Sequence, residues 1–368
     1  MKVYFERSAL AEALQLVGSV VPSRTPKPIL QCVLIDVEEE VVHLIATDME
    51  VGINTLVEKV KVERKGRIVI HADKLHAIVR ESSDEVLSLE QNGETCHITG
   101  RDSVFTIFCQ DSEQFPSVPI LKETPDLIFG LKELQIGTKQ CIFATAKESS
   151  RYAINGVLWE IEEDVLYLVG TDGRRLARSR IELDKVPDEV VLEHRRIVPA
   201  KTMMLIERMV CHEDQKVEIK FVGNQIIISS NGIIISSNLV EGTFPRYQDI
   251  IPKDYKNCIE LETAAVLSAV RRASLLASEE SKGIKITLTE NDILFNGRAP
   301  EAGAAEIRMP IEYNGEPVSI GFNPQFLSEA LKVISNKTLE MHLGQADGPG
   351  LFQDVSGFQY VLMPINLA

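Results

Sequence analysis

The chain has 368 residues, of which 44% are hydrophobic and 25% are charged, as in a soluble globular protein of two or three domains. No apolar run approaches the roughly 18 residues of a membrane helix, and the charged start MKVYFERSAL lacks the apolar segment of a secretory signal. We therefore expect a cytoplasmic protein. The net charge of −15 argues against a simple nucleic-acid binder, which usually presents a basic face.

The cysteines and histidines are scattered along the chain. The six cysteines stand alone at positions 32, 96, 109, 141, 211 and 258, without a C-x-x-C pair. This pattern predicts buried thiols in a reducing compartment. No cluster of cysteines and histidines has the spacing of metal ligands, so we expect no metal and no other cofactor.

One sequence motif is repeated along the chain. Asp164–Arg180, DVLYLVGTDGRRLARSR, reads as two alternating strands joined by a tight turn. Val41–Met49, VVHLIATDM, is an earlier copy, and Asp292–Arg298, DILFNGR, is a later and more divergent one. Three copies about a third of the chain apart predict three domain-sized repeats.

The first third begins with a predicted strand at residues 1–5, followed by a helix with apolar residues at Leu10, Ala13, Leu14 and Val17. A second helix is predicted over 72–80. The other predicted strands are 29–37, 41–47, 66–70, 86–91, 95–100 and 104–110.

The second third repeats this order. Helices are predicted over 132–147 and 201–210. The predicted strands are 126–130, 156–161, 165–170, 176–181, 196–198, 216–221, 225–230 and 232–239.

The last third has the same arrangement, with helices predicted over 264–277 and 324–334. Its predicted strands are 258–261, 285–289, 293–296, 318–321, 339–343 and 358–363. Together the elements indicate an α+β fold of three repeats, each with two helices packed on antiparallel sheets. Proline-containing segments suggest domain boundaries that give residues 1–121, 122–252 and 253–368.

The sequence lacks the common catalytic motifs. It has no phosphate loop, no G-x-G-x-x-G, no H-E-x-x-H and no G-x-S-x-G. Thr171 and Asp172 are better explained as a tight turn held by hydrogen bonds from side chain to backbone than as a catalytic pair. Three similar units without such a motif favour a scaffold over an enzyme.

Nine short stretches stand out in order across the repeats: Lys2–Phe5, Pro28–Leu30, Thr47-Asp48, Arg151–Gly156, Gly170–Ala177, Ile197–Pro199, Gly242–Pro245, Gly321–Asn323 and Tyr360–Pro364. Together they resemble the bacterial DNA polymerase III beta subunit, the sliding clamp family. The resemblance implies a non-enzymatic processivity ring, a head-to-tail homodimer of six similar clamp domains around duplex DNA. The implied partners are the polymerase III alpha subunit, the clamp loader, and other polymerases and repair proteins.

An acidic ring held on DNA by topology needs only an inner surface that does not repel phosphate. The six predicted helices carry a net positive charge, whereas the rest of the chain is strongly acidic. Such segregation gives a weak, sequence-independent attraction for the duplex. We predict DNA contacts from a loop arginine and from cations on or beside the helices, namely Arg24, Lys74, Lys147, Lys201, Arg271 and Arg272.

The resemblance also implies a shallow apolar pocket that captures short peptide motifs of the Gln-x-x-Leu-x-Phe type from partner proteins. Its implied wall is Ile154, Thr171, Gly173, Arg174, Arg175, Leu176, Pro245, Ile250, Val361, Met363, Pro364 and Ile365. A flexible peptide loses entropy on binding, so a few apolar anchors must supply the affinity. Arg174 and the C-terminal Pro364–Ala368 depart from the family pattern, which usually has His at the first position and an Arg near the end.

The family match further places Phe105 and Ile107, on the last strand of the first repeat, across the dimer interface from Leu275 and Leu276 of the third repeat. An edge strand over 104–110 would otherwise be left unprotected. Two alternatives remain open: an enzyme or nucleotide-binding regulator with Asp172 and Arg175 as its site, and a divergent clamp that binds partners without loading on DNA.

Overall fold

A computed structural model describes residues 1–147, 153–184, 195–252, 257–277 and 283–367. Within these residues the chain forms two compact units. Unit 1 contains Met1–Lys132, Asp184 and Lys201–Leu239, and unit 2 contains the described residues of 133–183, 195–200 and 240–367. Arg151 and Tyr152 of the resemblance stretch lie outside the described residues.

The first repeat contains two α-helices and nine strands in chain order. The helices are α1 (Arg7–Gly18) and α2 (Ala72–Glu81). The strands are β1 (Lys2–Glu6), β2 (Cys32–Val37), β3 (Val42–Thr47), β4 (Val51–Val57), β5 (Val60–Arg64), β6 (Gly66–His71), β7 (Val86–Asn92), β8 (Thr95–Thr99) and β9 (Val104–Phe108).

The second repeat contains α3 (Leu131–Ile142) and α4 (Ala200–Arg208). Its strands are β10 (Leu127–Gly130), β11 (Gly156–Glu162), β12 (Val165–Thr171), β13 (Arg175–Glu182), β14 (Arg196–Pro199), β15 (Lys216–Val222), β16 (Gln225–Ser230) and β17 (Ile233–Asn238).

The third repeat contains α5 (Thr263–Ser274) and α6 (Pro324–Val333). Its strands are β18 (Asn257–Glu262), β19 (Ile284–Leu288), β20 (Asp292–Ala299), β21 (Gly303–Pro310), β22 (Val318–Phe322), β23 (Thr338–Leu343), β24 (Gly350–Gln353) and β25 (Gln359–Leu362). The described residues therefore confirm the α+β class and the recurring order of two helices with antiparallel strands.

Each unit is built around an eight-stranded sheet shared by two consecutive repeats. In unit 1 the order is β10-β15-β16-β17-β4-β3-β2-β6, and in unit 2 it is β14-β11-β12-β13-β25-β24-β23-β18. Four strands come from each repeat, and the two halves meet through one antiparallel pair, β17 with β4 or β13 with β25. The β17–β4 pair is the first junction and the β13–β25 pair is the second junction.

Two half-sheets have no such continuation among the described strands. Unit 1 contains the sheet β5-β1-β7-β8-β9, and unit 2 contains β21-β20-β19-β22. In the repeat order, β9 corresponds to β17 and β25, whereas β21 corresponds to β4 and β13. Both are edge strands in the described part of the chain, and edge strands expose unpaired backbone groups that can pair with another chain.

The register of the strands shows how closely the repeats match. Ala177 pairs with Gly170, and Ala305 pairs with Gly297. A Cβ atom on Gly170 would overlap the carbonyl oxygen of Cys141 near the end of α3, and one on Gly297 would overlap that of Ala273 near the end of α5. Because helix and strand approach in the same way in both repeats, glycine is required at both positions.

The apolar face predicted for α1 is confirmed, since Leu10, Ala13, Leu14 and Val17 are all buried. The predicted helix over 132–147 was too long, because α3 ends at Ile142 and Lys147 follows it. The prediction also omitted four strands: β4, β5, β21 and β24. β4 is buried at six of its seven positions, so it lacks the alternation by which a half-exposed strand is recognised.

The prediction of buried thiols holds for half of the cysteines. Cys32, Cys96 and Cys141 are buried, Cys109 and Cys211 are half-buried, and Cys258 is exposed. Burial raises the pKa of Cys32 to about 11, so this thiol stays protonated at neutral pH. In the described part of the chain, no helix is both long and apolar enough to cross a membrane.

Candidate functional site

The turn between β12 and β13 is held by its own polar side chains. The hydroxyl of Thr171 donates to the Arg175 carbonyl at 2.7 Å and accepts from the Gly173 amide at 3.1 Å. The carboxylate of Asp172 accepts from the amides of Arg174 and Arg175 at 2.9 and 3.1 Å. Gly173 has a φ of 85°, in the left-handed region that favours glycine. The predicted structural role of Thr171 and Asp172 is therefore confirmed.

The earlier copy of the motif, Val41–Met49, forms the same turn in unit 1. Thr47 donates to the Val51 carbonyl at 3.0 Å and accepts from the Met49 amide at 3.0 Å. Asp48 accepts from the amides of Glu50 and Val51 at 2.9 and 2.7 Å. Met49 takes the place of Gly173, with a φ of 80°. Each turn lies at the end of the strand that forms a junction.

Arg175 lies at the centre of a buried polar network in unit 2. Only 8% of its surface is exposed, although it carries a positive charge. Its Nε atom donates to Asp172 at 3.0 Å, one terminal nitrogen donates to Glu329, and the other donates to the Phe143 carbonyl at 2.6 Å. Its guanidinium carbon lies 4.1 Å from the centre of the Phe326 ring. Arg175 thus joins α6 of the third repeat to the turn of the second.

Arg175 helps to keep the Glu329 carboxylate ionised. Burial works to raise its pKa, but hydrogen bonds from Arg175 and Gln325 outweigh burial and lower the pKa below its usual value. Glu329 is therefore ionised at neutral pH, and the charge of Arg175 is balanced where little water reaches it.

An apolar cluster lies beneath the turn and contains several of the predicted wall residues. Ile154, Leu176 and Val361 are buried in it. They pack with seven further buried residues that the predicted wall did not include: Ala153, Leu158, Val169, Ile197, Phe244, Tyr247 and Leu351. These predicted residues form the floor beneath a surface and offer little area to a ligand. Thr171 and Arg175 are also buried, as parts of the turn.

Other predicted wall residues are accessible. Ile250 is 40% exposed and Met363 is 39% exposed, so both apolar side chains can be reached by a partner. Gly173 and Arg174 are exposed, and Pro245, Pro364 and Ile365 are half-buried. The amide of Met363 donates to the Arg174 carbonyl at 3.0 Å, which holds the C-terminal segment beside the turn. The structure therefore brings Ile154, Leu176 and Val361 together in one buried cluster and places Met363 beside the turn, whereas the pocket as a whole stays a prediction.

The C-terminal segment, although it departs from the family pattern, is anchored to the third repeat. The amide of Ile365 donates to the Gly321 carbonyl at 2.8 Å. A Cβ atom on Gly321 would overlap the Ile365 carbonyl oxygen and the Leu367 side chain, and one on Gly283 would overlap the side chains of both residues. The small residues at 283 and 321 therefore let the segment after Met363 lie against the sheet.

Three family models of the DNA polymerase III beta subunit match successive parts of the chain. Its N-terminal domain matches residues 1–119, its central domain residues 131–246 and its C-terminal domain residues 248–366. The chain belongs to this family. It is a DNA sliding clamp, a processivity subunit of DNA polymerase III and not one of its catalytic subunits.

Similar proteins match over the whole length. The beta sliding clamp of Chlamydia pneumoniae is 27% identical, with 100% of this chain and 99% of the relative covered. The crystal structure of the DNA polymerase III subunit beta from Pseudomonas aeruginosa covers both chains completely, with 27% identity and a TM-score of 0.90. The Bacillus subtilis sliding clamp, at 24% identity and a TM-score of 0.93, supports the fold.

The residues of the alternative enzyme site already have structural roles. Asp172 is bonded to the turn amides and to Arg175, and Arg175 is enclosed by Asp172, Glu329 and the Phe326 ring. Neither side chain is free to approach a substrate. Family membership and this geometry together leave no support for the enzyme hypothesis.

Most of the cations predicted to contact DNA are accessible. Arg24, Lys74, Lys147, Arg271 and Arg272 are exposed. Lys201 differs, because its ammonium group pairs with Asp48 and donates to the Val20 carbonyl at 3.4 Å. Its charge is directed at the turn of the first repeat, so Lys201 is a poor candidate for a phosphate contact.

The charge of the helices is smaller than the sequence suggested. With the observed bounds, α1, α2 and α6 are neutral, α3 and α4 carry one positive charge each, and α5 carries two. The difference arises because α2 extends to Glu81, one residue past its predicted end, whereas α3 ends before Lys147. The helical positive charge is therefore concentrated on α5, at Arg271 and Arg272.

The residues predicted at the dimer interface lie at or beside the unpaired sheet edges. Phe105 is exposed and Ile107 is half-buried on β9. Leu275 and Leu276 directly follow α5 instead of lying within it, and Leu275 is 80% exposed. Val104 and Phe108 add two exposed apolar side chains on β9 that the prediction omitted. Exposed apolar side chains along an unpaired strand indicate a contact surface.

The Arg175 network predicts a pH-dependent loss of stability in Glu329→Gln. At pH 7 the variant leaves the buried guanidinium without one anionic partner, and the free energy of unfolding should fall by about 1–3 kcal/mol. Because the folded-state pKa of Glu329 is lowered, its contribution is present above its usual value of 4.5 and is lost as the pH falls through the folded-state value.

The measurement is denaturant unfolding of wild type and variant from pH 3 to pH 8. The difference between them should narrow in acid. Glu290→Gln, at an exposed carboxylate with no ion pair among the described residues, is the matched control and should change stability little. A difference that stays constant down to pH 3 would contradict this role of the ionised carboxylate.

Proposed function

We propose that two copies of this chain join head to tail into a closed ring of six domains around duplex DNA. In the cytoplasm the ring holds the replicative polymerase and other replication and repair proteins at their template through short peptide motifs. The observation that supports the ring most directly is the pair of unused half-sheet edges, β9 in unit 1 and β21 in unit 2.

The two junctions within the chain provide the pattern for a third between copies. Ile235 on β17 pairs with Ile53 on β4, and Tyr360 on β25 pairs with Ala177 on β13. We align Phe105 with Ile235 and Tyr360, because each pairs with a buried apolar residue of the preceding strand, namely Ile98, Ile228 and Phe352. Ala305, paired with Gly297, occupies the place of Ala177. The repeat therefore predicts that Phe105 lies opposite Ala305 of a second copy.

Side-chain packing at the second junction supports the same arrangement. There the rings of Phe143 and Tyr360 lie 5.7 Å apart between centroids. Leu275 stands at the same distance from the start of α5 as Phe143 does from the start of α3. Leu275 of one copy is therefore expected to pack on Phe105 of the other. Head-to-tail contacts of this kind close into a ring when two of them form.

The net charge of −15 is compatible with encirclement, because topology and not affinity retains a closed ring. The cations that remain unpaired by other side chains, including Arg271 and Arg272 on α5, are expected to attract phosphates without reading sequence. Acidic surfaces elsewhere repel DNA and so disfavour binding outside the ring.

The exposed rim beside the second junction is the proposed partner site. Met363 and Ile250 provide adaptable apolar contacts, and the buried cluster below keeps the surface rigid. A peptide with apolar anchors can bind such a preformed surface, since only the peptide then pays an ordering cost. Arg174, exposed at the edge of the turn, offers a cation to acidic residues beside the motif.

The strand register predicts a disulfide between copies in a double variant, Phe105→Cys with Ala305→Cys. Paired residues in antiparallel strands have Cα atoms about 4.5–5.5 Å apart, within the range of a disulfide. Mild oxidation should produce covalent dimers on a non-reducing gel. Phe105→Cys with Ala302→Cys is the control, because Ala302 lies in the turn before β21.

The two single variants test for disulfides with the native cysteines. A dimer that forms equally in all of these variants, or in none, would contradict the register. Sedimentation of Leu275→Ala with Leu276→Ala gives an independent measure, and this variant should shift towards monomer.

The charge on α5 predicts weaker retention on DNA for Arg271→Glu with Arg272→Glu. The fraction of protein held on a nicked circular plasmid at low salt should fall severalfold, because log affinity follows the number of phosphate contacts. The difference in retained fraction between wild type and variant should shrink as the salt concentration rises. Linearising the plasmid should release wild type and variant alike, since a ring slides off an end.

Lys285→Glu with Lys337→Glu is the matched control, with the same change of charge in the same repeat but at exposed residues that are not part of α5. Retention that is unaffected by the α5 variant at every salt concentration would exclude these arginines. Retention on linear DNA equal to that on circular DNA would exclude encirclement itself.

The partner surface predicts that Met363→Ala weakens binding of a Gln-x-x-Leu-x-Phe peptide by about tenfold, the effect of losing a central apolar anchor. Fluorescence anisotropy with a labelled peptide measures the affinity. Val355→Ala is the control, because Val355 is 89% exposed and lies outside the predicted wall. Equal affinity of both variants would place the peptide site elsewhere.

A further inference from the structure

The strands at the edge of the large sheet in unit 2 bring together three different metal-binding side chains. Cys258 on β18 lies directly opposite His342 on β23, and Glu340 is two residues before His342 on the same strand. Residues two apart on a strand point to the same face, so all three side chains share one surface of the sheet. The sequence did not reveal this cluster, because Cys258 and His342 are 84 positions apart.

The distances between the donor atoms match those around a tetrahedral ion. Cys258 Sγ lies 3.7 Å from His342 Nε2, and His342 Nε2 lies 3.2 Å from Glu340 Oε2. With zinc bond lengths of about 2.3 Å to sulfur and about 2.0 Å to nitrogen and oxygen, a tetrahedron separates sulfur from nitrogen by about 3.5 Å and nitrogen from oxygen by about 3.3 Å. All three donor atoms lie within 4.8 Å of one another.

The neighbouring strand supplies a side chain that orients the carboxylate. Gln353 on β24 lies opposite Glu340 and donates from Nε2 to Glu340 Oε2 at 2.8 Å. The same nitrogen lies 3.2 Å from His342 Nε2, and the Gln353 oxygen accepts from Gln359 at 3.3 Å. Partners of this kind fix the direction of a ligand and strengthen metal binding in known sites.

The donor set selects the class of ion. Thiolate and imidazole are preferred by zinc and related transition metals, whereas magnesium and calcium require oxygen ligands. Cys258 is exposed, so water can supply a fourth ligand from solvent. We propose that Cys258, Glu340 and His342 form a Zn²⁺ site that fastens the edge strand β18 to the sheet of the third repeat.

Such a site would act on stability. β18 is the last strand of the eight-stranded sheet in unit 2, and it leads directly into α5. An ion bound between β18 and β23 adds a link that the unfolded chain lacks, and the stabilisation grows with the free metal concentration. The inference does not depend on the ring or on the peptide site.

Cobalt is the spectroscopic probe for the experiment. Full-length protein, reduced and freed of metal, is titrated with Co²⁺ while near-ultraviolet and visible absorption are recorded. We expect one equivalent per chain to produce a thiolate-to-cobalt charge-transfer band with tetrahedral visible bands, and Zn²⁺ to displace both. Zn²⁺ should also raise the midpoint of thermal unfolding.

Variants assign the site to its residues. Cys258→Ser should abolish the charge-transfer band and the thermal shift, whereas Glu340→Gln and His342→Gln should each weaken Co²⁺ binding at least tenfold. Cys211→Ser is the matched control at another accessible thiol and should keep the wild-type spectrum. The proposal is wrong if stoichiometric Co²⁺ gives no thiolate band, or if the band survives in Cys258→Ser.

Discussion

The structure depends on antiparallel pairing between the edge strands of consecutive repeats. Each repeat builds two half-sheets, and a half-sheet alone leaves one row of backbone amides and carbonyls without partners. Pairing β17 with β4, and β13 with β25, turns four half-sheets into two continuous sheets of eight strands. The repeats are therefore joined by the same hydrogen bonds that hold each sheet together, and a shift of one residue at a junction would turn every side chain of one half to the other face.

The polar side chains near the junctions are explained by this constraint. Arg175 lies in the first position of β13 and binds Asp172 of its own turn and Glu329 of the following repeat. Lys201, from the start of α4, binds Asp48 in the equivalent turn of the first repeat. Burying a charge such as that of Arg175 is costly unless its partner is well placed, so the pair with Glu329 favours the arrangement in which the second and third repeats meet as observed. The exposed rim around Met363 lies beside the Arg175 turn, which gives a flexible partner a fixed surface.

Much of the fold was predictable, because the relevant patterns are local. The apolar spacing of α1 and the polar turn chemistry of Thr171 and Asp172 require only neighbouring residues. β4 and β21 were missed because neither shows a clear alternation of apolar and polar residues. β4, VGINTLV, is buried at six of its seven positions and lies between β3 and the distant β17, whereas β21, GAAEIRMP, begins with small residues that have a weak strand preference.

The site was predicted less completely than the fold, because the identity of a residue does not show how deeply its side chain is buried. The family pattern selected Leu176 and Val361 correctly as neighbours, but burial makes them a floor and not a wall. The partnership of Arg175 with Glu329 spans 154 positions, and the convergence of Cys258 with His342 spans 84. Contacts of this kind follow from strand pairing and are absent from any local pattern.

The proposed third junction differs from the first two in a way that suits a ring that must open. Gly303 occupies the position of Arg175 in the third repeat. Arg175 pairs across its turn with Asp172, and Gly303 pairs in the same way with Ala299. The small, uncharged residues Gly303, Ala304 and Ala305 at the start of β21 leave backbone hydrogen bonds and the packing of Phe105 and Leu275 as the main attractions expected there, without a counterpart of the Arg175 network. Backbone pairs and apolar contacts at a solvent-exposed edge can separate without breaking a buried ion pair, whereas opening the second junction would separate Arg175 from Glu329. If two copies of this chain separate at one interface while the first and second junctions stay paired, we expect the separation between β9 and β21, because that interface has no counterpart of the buried Arg175–Glu329 pair.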